Sequence, residues 1–342
     1  MKRTGNLVEK IADIDNLRLA FWKARKGKEA KQDVMKFRHH LDKNLLELRH
    51  QILSGNVDVG HYHYFTIYDP KERVICAASF PERVLHHALM NICHPCFERF
   101  QVFDSYACRK GKGTYAALKR ASAFQRKFAY FLKLDVRKYF DTISHAYLNE
   151  KLQRLFKDNL LLSIFNKIIN NYNVSPGKGV PIGNLTSQYF ANHALAYADH
   201  FVKEKLQVKG YVRYMDDMVL WGNNKNELLD KGQKVDEYIQ DNLNQELKPF
   251  CLNYSGKGLP FLGYLLYPDK TRLALRSKKR YMKKLKTYYY NVEYNIWDQA
   301  TFQRHVLPLL AFTEQAQAKG FRKTIESKIK GQWPGALTVF TL

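Results

Sequence analysis

Tyr211-Val212-Arg213-Tyr214-Met215-Asp216-Asp217-Met218-Val219-Leu220-Trp221 is the stretch on which the reading turns. Two apolar runs flank a pair of adjacent aspartates, which predicts two strands joined at the acids. Asp-rich turns are common and solvated, and that is the plain alternative. Large apolar residues on both sides argue against it, because neighbouring carboxylates in such surroundings repel one another and lose solvation. Both stay ionised only beside cations. A third acid has the same context, since Asp135 closes the apolar strand predicted over Tyr130 to Asp135. Hard oxygen ligands on neighbouring strands suit Mg²⁺, which takes one or two carboxylates, water and substrate phosphate oxygens. Two such ions roughly 3.5–4 Å apart activate an attacking oxygen and stabilise a leaving one in in-line phosphoryl displacement. A hydroxyl attacking a nucleoside triphosphate fits that pattern. Asp141 follows two bulky aromatics and reads as structural.

Outward from this centre, spacings of three and four at Val34, Phe37, Leu41, Leu45, Leu48 and Ile52 predict a long helix ending at Gly55 within the segment from Asn16 to Ser54. Its upstream cations, Lys23, Arg25, Lys26, Lys28 and Lys31, are either a solvated face or a phosphate contact. His61 to Tyr68, a turn at Asp69-Pro70-Lys71-Glu72 and Arg73 to Ser79 predict a hairpin. A helix over Phe80 to Phe100 leads into the basic loop Arg109-Lys110-Gly111-Lys112-Gly113-Thr114, which lacks the P-loop pattern. Further helices are predicted over Tyr147 to Tyr172, from the loop Pro181 to Gln188 through Lys205, and over Lys225 to Leu247. A strand pair follows over Leu259 to Tyr267, and the tail from Lys278 is basic, aromatic and helical by pattern.

The chain has 342 residues, 45% hydrophobic and 26% charged, so it is expected to bury a sizeable core in several lobes. Lysine and arginine total 56 against 32 acids, a net +24 that calls for a polyanionic partner. Nucleic acid is favoured over a membrane surface, because neither a leader nor a run of about 18 apolar residues is present. Cys76, Cys93, Cys96, Cys108 and Cys251 are scattered. Cys93 and Cys96 have the C-x-x-C spacing of zinc ligands, but no second pair exists and their surroundings are apolar, so buried, reduced thiols are expected.

Tyr214-Met215-Asp216-Asp217 resembles the YxDD motif of reverse transcriptases, and Asp135 falls where that family has its first metal-binding aspartate. The hairpin with Lys71 and Arg73 resembles the fingers. Pro181 to Gln188 resembles the loop under the incoming nucleotide, and Leu259-Pro260-Phe261-Leu262-Gly263-Tyr264 the primer grip. The ordered set spans about residues 60 to 270. Ala24 to Lys28, Ser105 to Thr114 and Ile182-Gly183-Asn184-Leu185-Thr186-Ser187-Gln188 are most similar to the enzymes of bacterial and phage diversity-generating retroelements. Related branches typically have glutamine where Ile182 stands and proline where Gln188 stands.

The resemblance implies an α+β right-hand polymerase: a helical N-terminal extension over 1–60, fingers and palm over 61–267, and a helical thumb over 268–342 without an endonuclease or RNase H domain. It implies RNA copied into DNA with two Mg²⁺ ions on Asp135, Asp216 and Asp217, error-prone synthesis, and a cytoplasmic, bacterial or phage setting. Implied partners are template RNA, a primer duplex, deoxynucleoside triphosphates and a small, basic, helical accessory protein that assembles as a ring. Lys71 and Arg73 would hold the triphosphate, with Ile182, Gly183 and Gln188 near the nascent pair. Phe140 would exclude a 2′-hydroxyl, with core packing as the alternative and Tyr139 as a second candidate. Lys248 would be the general acid. Arg109 and Lys112 would hold RNA phosphates or serve a simple basic loop. Lys283, Lys284 and Lys286, with Tyr288, Tyr289 and Tyr290, would face the duplex, and Phe261, Leu262 and Gly263 would grip the primer. Two readings stay open beside this one: a retron or intron-derived enzyme, and a catalytically silent RNA-binding maturase-like protein.

Overall fold

The structure, a computed structural model, describes residues 2–68 and 72–332. The chain begins with four helices, α1 (Val8–Ile11), α2 (Ile14–Arg25), α3 (Gln32–His39) and α4 (Leu41–Ser54). The single long helix expected from Asn16 to Ser54 is thus three. Its apolar spacing is kept, but Gly27 turns left-handed at φ 71° after α2, and His40 leaves helical geometry at φ −115°, ψ 42°. Gly55 does end α4, in the left-handed conformation that suits glycine at a helix C-terminus.

Next come the hairpin β1 (Tyr62–Ile67) and β2 (Arg73–Ala78), then α5 (Phe80–Phe100) and α6 (Thr114–Lys127). β3 (Tyr130–Asp135) leads through the short α7 (Tyr139–Thr142) to α8 (His145–Leu155) and α9 (Asn159–Asn170). The one helix expected over this last stretch breaks where the Asp158 carboxylate accepts from Leu161 N and starts α9. α10 (Leu185–His200) runs into a π turn, and β4 (Gly210–Tyr214) and β5 (Asp217–Gly222) follow. α11 (Lys225–Leu243) ends four residues before the predicted Leu247, because the next residue, Asn244, is left-handed at φ 51°. After β6 (Cys251–Tyr254) come the short strands β7 (Leu259–Phe261), β8 (Tyr264–Leu266) and β9 (Thr271–Leu273). The chain then continues as α12 (Leu275–Glu293), α13 (Gln299–Glu314) and α14 (Lys319–Gln332).

The central sheet is antiparallel, in the order β4-β5-β3-β6, and both faces are covered. Side chains alternate along a strand. Leu132, Leu134, Met218 and Leu220 therefore enter one core with α1–α5 and α8–α11. Phe131, Val219 and Trp221 point the other way, into a second core with α6 and β7–β9. Two-sided burial is why β3, β4 and β5 read as nearly continuous apolar runs. A third core, with Tyr281, Leu285, Tyr289, Phe302 and Val306, lies within α12–α14. Cys93 and Cys96 are buried in the first core as free thiols, as expected from their apolar context.

Candidate active site

Strand register brings the acids together. Asp135, the last residue of β3, lies directly opposite Asp217, the first residue of β5. Asp216 occupies the turn between β4 and β5, after Met215 at φ 54°. Burial leaves the Asp216 and Asp217 carboxylates poorly solvated. Asp217 is pushed up to about 6, chiefly by burial and against the pull of Lys133. Asp216 is raised as well, by burial first, with Asp135 adding and Lys248 and Arg73 opposing.

Two lysines close on the acids. Lys248 Nζ donates to Asp135 Oδ1 at 2.6 Å, and the Lys248 backbone N–H donates to the Asp135 carbonyl. Lys133 Nζ lies 3.0 Å from Asp217 Oδ1 and donates to Oδ2 at 3.1 Å and to the Pro260 carbonyl at 3.2 Å. Sequence reasoning missed Lys133. The signal was available, because Lys133 stands two residues before Asp135 and so shares its face of β3. Among the described residues no three His, Cys, Asp or Glu side chains enclose a metal by themselves. The donor set still suits a hard cation, because Mg²⁺ keeps waters and takes only one or two carboxylates beside substrate phosphate. The raised carboxyls, ionised, need such positive charge.

The loop before α10 is fastened to the hairpin. Cys76 N–H donates to the Ile182 carbonyl at 2.8 Å, and Ala78 N–H to Asn184 Oδ1 at 3.2 Å. Gly183 has φ 123°, and a Cβ there would lie 2.9 Å from Ile75 Cγ2 and 3.0 Å from the Cys76 carbonyl oxygen, so only glycine lets the two backbones approach. Ile182 is half-buried, and Gln188 Oε1 accepts from the Cys108 thiol at 3.3 Å. Arg73 is exposed at the start of β2, on the hairpin this loop holds, whereas Lys71 lies outside the described residues.

The two aromatics after Asp135 separate cleanly. Tyr139 is buried, and its hydroxyl donates to the Ala191 carbonyl. Phe140 is half-buried, edge-on to Tyr139. Phe261 is buried in β7, while Leu262 at φ 48° and Gly263 at φ 89° make the turn into β8. That turn borders a cavity of about 530 Å³ shared with Lys112, Thr114, Tyr115 and Phe312.

Arg109 departs from the expectation of an RNA contact. Its guanidinium pairs with both Glu98 oxygens and donates to the Val102 and Ser105 carbonyls at 2.6 and 2.7 Å, so it braces its own loop. Lys112 donates to the Phe103 carbonyl and sits 3.5 Å from the centre of the Phe103 ring. Lys283 and Lys286 are exposed on α12. The three tyrosines do not form one surface. Tyr289 is buried against Phe302, Tyr288 is half-buried beside Trp297 and His305, and only Tyr290 is exposed. Of the early cations, Lys28 and Lys31 line a cavity of about 280 Å³ with Arg83, Phe65, Gly183 and Asn184, whereas Lys23 donates to Asn91 Oδ1 and Arg25 lies over the Trp22 ring. Lys28 is lowered there by burial first, then by Arg83 and Lys31.

A family model described as reverse transcriptase (RNA-dependent DNA polymerase) matches residues 69–264. No curated protein matches the sequence. Among solved structures, the chain is similar to telomerase from Candida albicans in complex with a TWJ fragment of telomeric RNA, with a TM-score of 0.48 and 15% identity over 67% of this chain and 50% of that one. It is also similar to apo telomerase from Candida tropicalis truncated from its C-terminal domain, at a TM-score of 0.49, 13% identity and 69% and 60% coverage. For apo telomerase from the same organism the figures are 0.48, 11%, 68% and 53%. The chain thus spans between 50% and 60% of the length of these telomerases. With the family model covering more than half of its residues, the catalytic-type turn, the acid on β3 and the loop before α10 included, the chain belongs to the reverse transcriptase family.

Proposed function

We propose that the chain is an RNA-directed DNA polymerase of the diversity-generating retroelement type that extends a primer along an RNA template with deoxynucleoside triphosphates. The observation that carries the polymerase reading is the placement of Asp135 opposite Asp217, with Asp216 in the adjoining turn, in a site where burial raises Asp216 and Asp217. These three side chains would hold divalent cations, Mg²⁺ by their hard oxygen donors. Bound there, such ions would supply the positive charge that phosphoryl transfer needs. The chain's own groups do the rest. Arg73 meets the triphosphate, and Lys248, which already places a proton-bearing Nζ beside Asp135, donates that proton to the departing pyrophosphate. Phe140 blocks a 2′-hydroxyl, Ile182, Gly183 and Gln188 line the nascent pair, and the Leu262–Gly263 turn, anchored by Phe261, steadies the primer.

The cation-lined cavity beside Gly183 and the exposed Lys283 and Lys286 suit phosphate backbones, with Lys112 nearer the primer-grip turn. Residues 1–60 serve as the extension, 61–267 as fingers and palm, and 268–342 as the thumb. The retroelement subtype rests on the quoted loops. It brings error-prone synthesis, a basic ring-forming accessory protein and a cytoplasmic setting in a bacterium or phage. No helix of the described residues is long and apolar enough to cross a membrane.

Primer extension tests the reading. The purified chain, an RNA template, an annealed DNA primer, the four deoxynucleoside triphosphates and Mg²⁺ should give full-length cDNA, and EDTA should stop it. RNA binding without any extension, in the presence or absence of Mn²⁺, supports the silent RNA-binding alternative instead.

A further inference from the structure

Arg213 heads the fully buried side chains of the described residues by size, and it lies in β4 two residues before the catalytic-type turn. A guanidinium out of water is tolerated only when its charge and all its donors are matched. Here they are. Nε donates to Asp199 Oδ1 and Nη2 to Asp199 Oδ2, both at 2.6 Å, and the Tyr211 hydroxyl donates to the same carboxylate. Nη2 also reaches the Asn192 carbonyl at 3.2 Å and Gln101 Oε1 at 3.3 Å. Nη1 donates to Asn192 Oδ1 at 2.7 Å and to the Met215 carbonyl at 3.0 Å. Asn192 and Asp199 stand two turns apart on α10, so one helix face supplies the clamp.

Of these acceptors, only the Met215 carbonyl belongs to the turn that carries the acids. Met215 needs such a hold. A two-residue hairpin turn with positive φ at its first central position favours glycine. This chain has methionine there, at φ 54°. An L residue occupies that region at an energetic cost and stays only where its surroundings hold it. The carbonyl held by Arg213 is that of the strained residue itself, and its peptide leads directly into Asp216.

We propose that Arg213 is a positioning residue. Through the Met215 carbonyl it keeps the turn in the conformation that sets Asp216 beside Asp135, and Asp199 supplies the buried counter-charge that makes this possible. The proposal rests on the polymerase reading above and is tested so that the two can fail separately.

In Arg213→Lys, an ammonium with three donors on a differently shaped head cannot serve Asp199 and Met215 together. In Arg213→Met/Asp199→Leu the charges leave as a pair and an apolar core replaces them. Measured on folded protein, both should lower kcat about 10- to 100-fold with KM for deoxynucleotide nearly unchanged, and should weaken Mn²⁺ binding to the free protein several-fold by paramagnetic titration. A merely structural role predicts a lower melting temperature with wild-type kcat and Mn²⁺ affinity per folded molecule, and that result overturns the proposal. If both variants fail to fold, Asn192→Ala decides. It leaves the Arg213–Asp199 pair intact but removes the Asn192 Oδ1 acceptor that, with the Met215 carbonyl, orients Nη1. The hold on Met215 loosens, kcat should fall about 3- to 10-fold, and an unchanged kcat there overturns the proposal. A wild-type chain that makes no cDNA sinks the polymerase reading alone, and the Mn²⁺ comparison still decides the role of Arg213.

Discussion

Asp216 and Asp217 were legible from the primary sequence because two carboxylates between apolar strands leave few physical options, and Asp135 because it ends a strand of the same kind. Lys133 and Arg213 were harder to see, since their partners, Asp217 and Asp199, are remote in sequence and meet them only through sheet register and helix packing. The choice between Tyr139 and Phe140 also needed the fold. Alternation around a helix start cannot say which ring enters the core, whereas the structure buries Tyr139 on the Ala191 carbonyl and leaves Phe140 partly free. At the residue scale, Phe140→Ala should therefore raise ribonucleotide incorporation about tenfold or more relative to deoxynucleotide while stability falls only modestly. Competing incorporation of ribo- and deoxyribonucleotides checks it, and unchanged discrimination would remove Phe140 from the site. At Ile182 the side chain offers only apolar contact, worth ~1–3 kcal/mol in discrimination, whereas a hydrogen-bonding group can reject mismatches more strongly. Ile182→Gln should lower misincorporation per nucleotide, at some cost in rate. Sequenced cDNA from both proteins on one template decides, and equal error rates at every template base would refute the role given to Ile182.

Among the elements, β1–β5 and the β7–β8 pair were read closely, whereas β6, β9 and the helix breaks were not. The α5 limits follow from sequence, with proline in the first turn and a regular apolar stripe. The breaks at Gly27, at His40 and before Asp158 interrupt stripes whose periodicity continues across them, so spacing alone gave longer helices. Gly232 illustrates the same limit. It sits inside α11, where alanine is normally preferred, yet a Cβ there would come 2.3 Å from Leu132 Cδ2, so the glycine lets α11 lie close on β3. α10 makes a prediction of its own. His193 is buried in it, and burial lowers its pKa to about 4. The unfolded chain, with an ordinary histidine near 6.5, takes up protons that the folded chain refuses between pH 6.5 and 4. Its contribution to stability is thus present above pH 6.5 and lost as pH falls, on the order of 3 kcal/mol by pH 4. Urea unfolding of the wild type and His193→Phe at pH 7.5 and 4.5 checks this, because the loss on acidification should shrink in the variant. An identical loss in both would contradict it.

For the whole molecule, the net charge of +24 pointed to nucleic acid before any motif did, and among its cations Lys28, Lys31, Arg73, Lys283 and Lys286 now have positions. What charge could not tell was which of them are already occupied: Arg109 is spent on Glu98 and two carbonyls, whereas Lys283 and Lys286 are exposed. RNA affinity should fall steeply with salt, roughly 10³-fold or more between 50 and 200 mM if six or more phosphates are neutralised. A binding constant that stays flat over that range would contradict a phosphate-dominated interface. The reverse transcriptase family and a mixed α/β fold with antiparallel sheets are the frame that carries these charges. The central claim is that Asp135, Asp216 and Asp217 make the RNA-copying site, and one paired measurement addresses it most directly. Wild type and Asp217→Asn are compared on the same primed RNA, for cDNA yield and for RNA affinity. Asp217→Asn keeps the shape and removes one carboxylate charge, so synthesis should fall at least 10³-fold while RNA affinity changes less than about threefold. Full-length cDNA at a wild-type rate from Asp217→Asn would contradict the account.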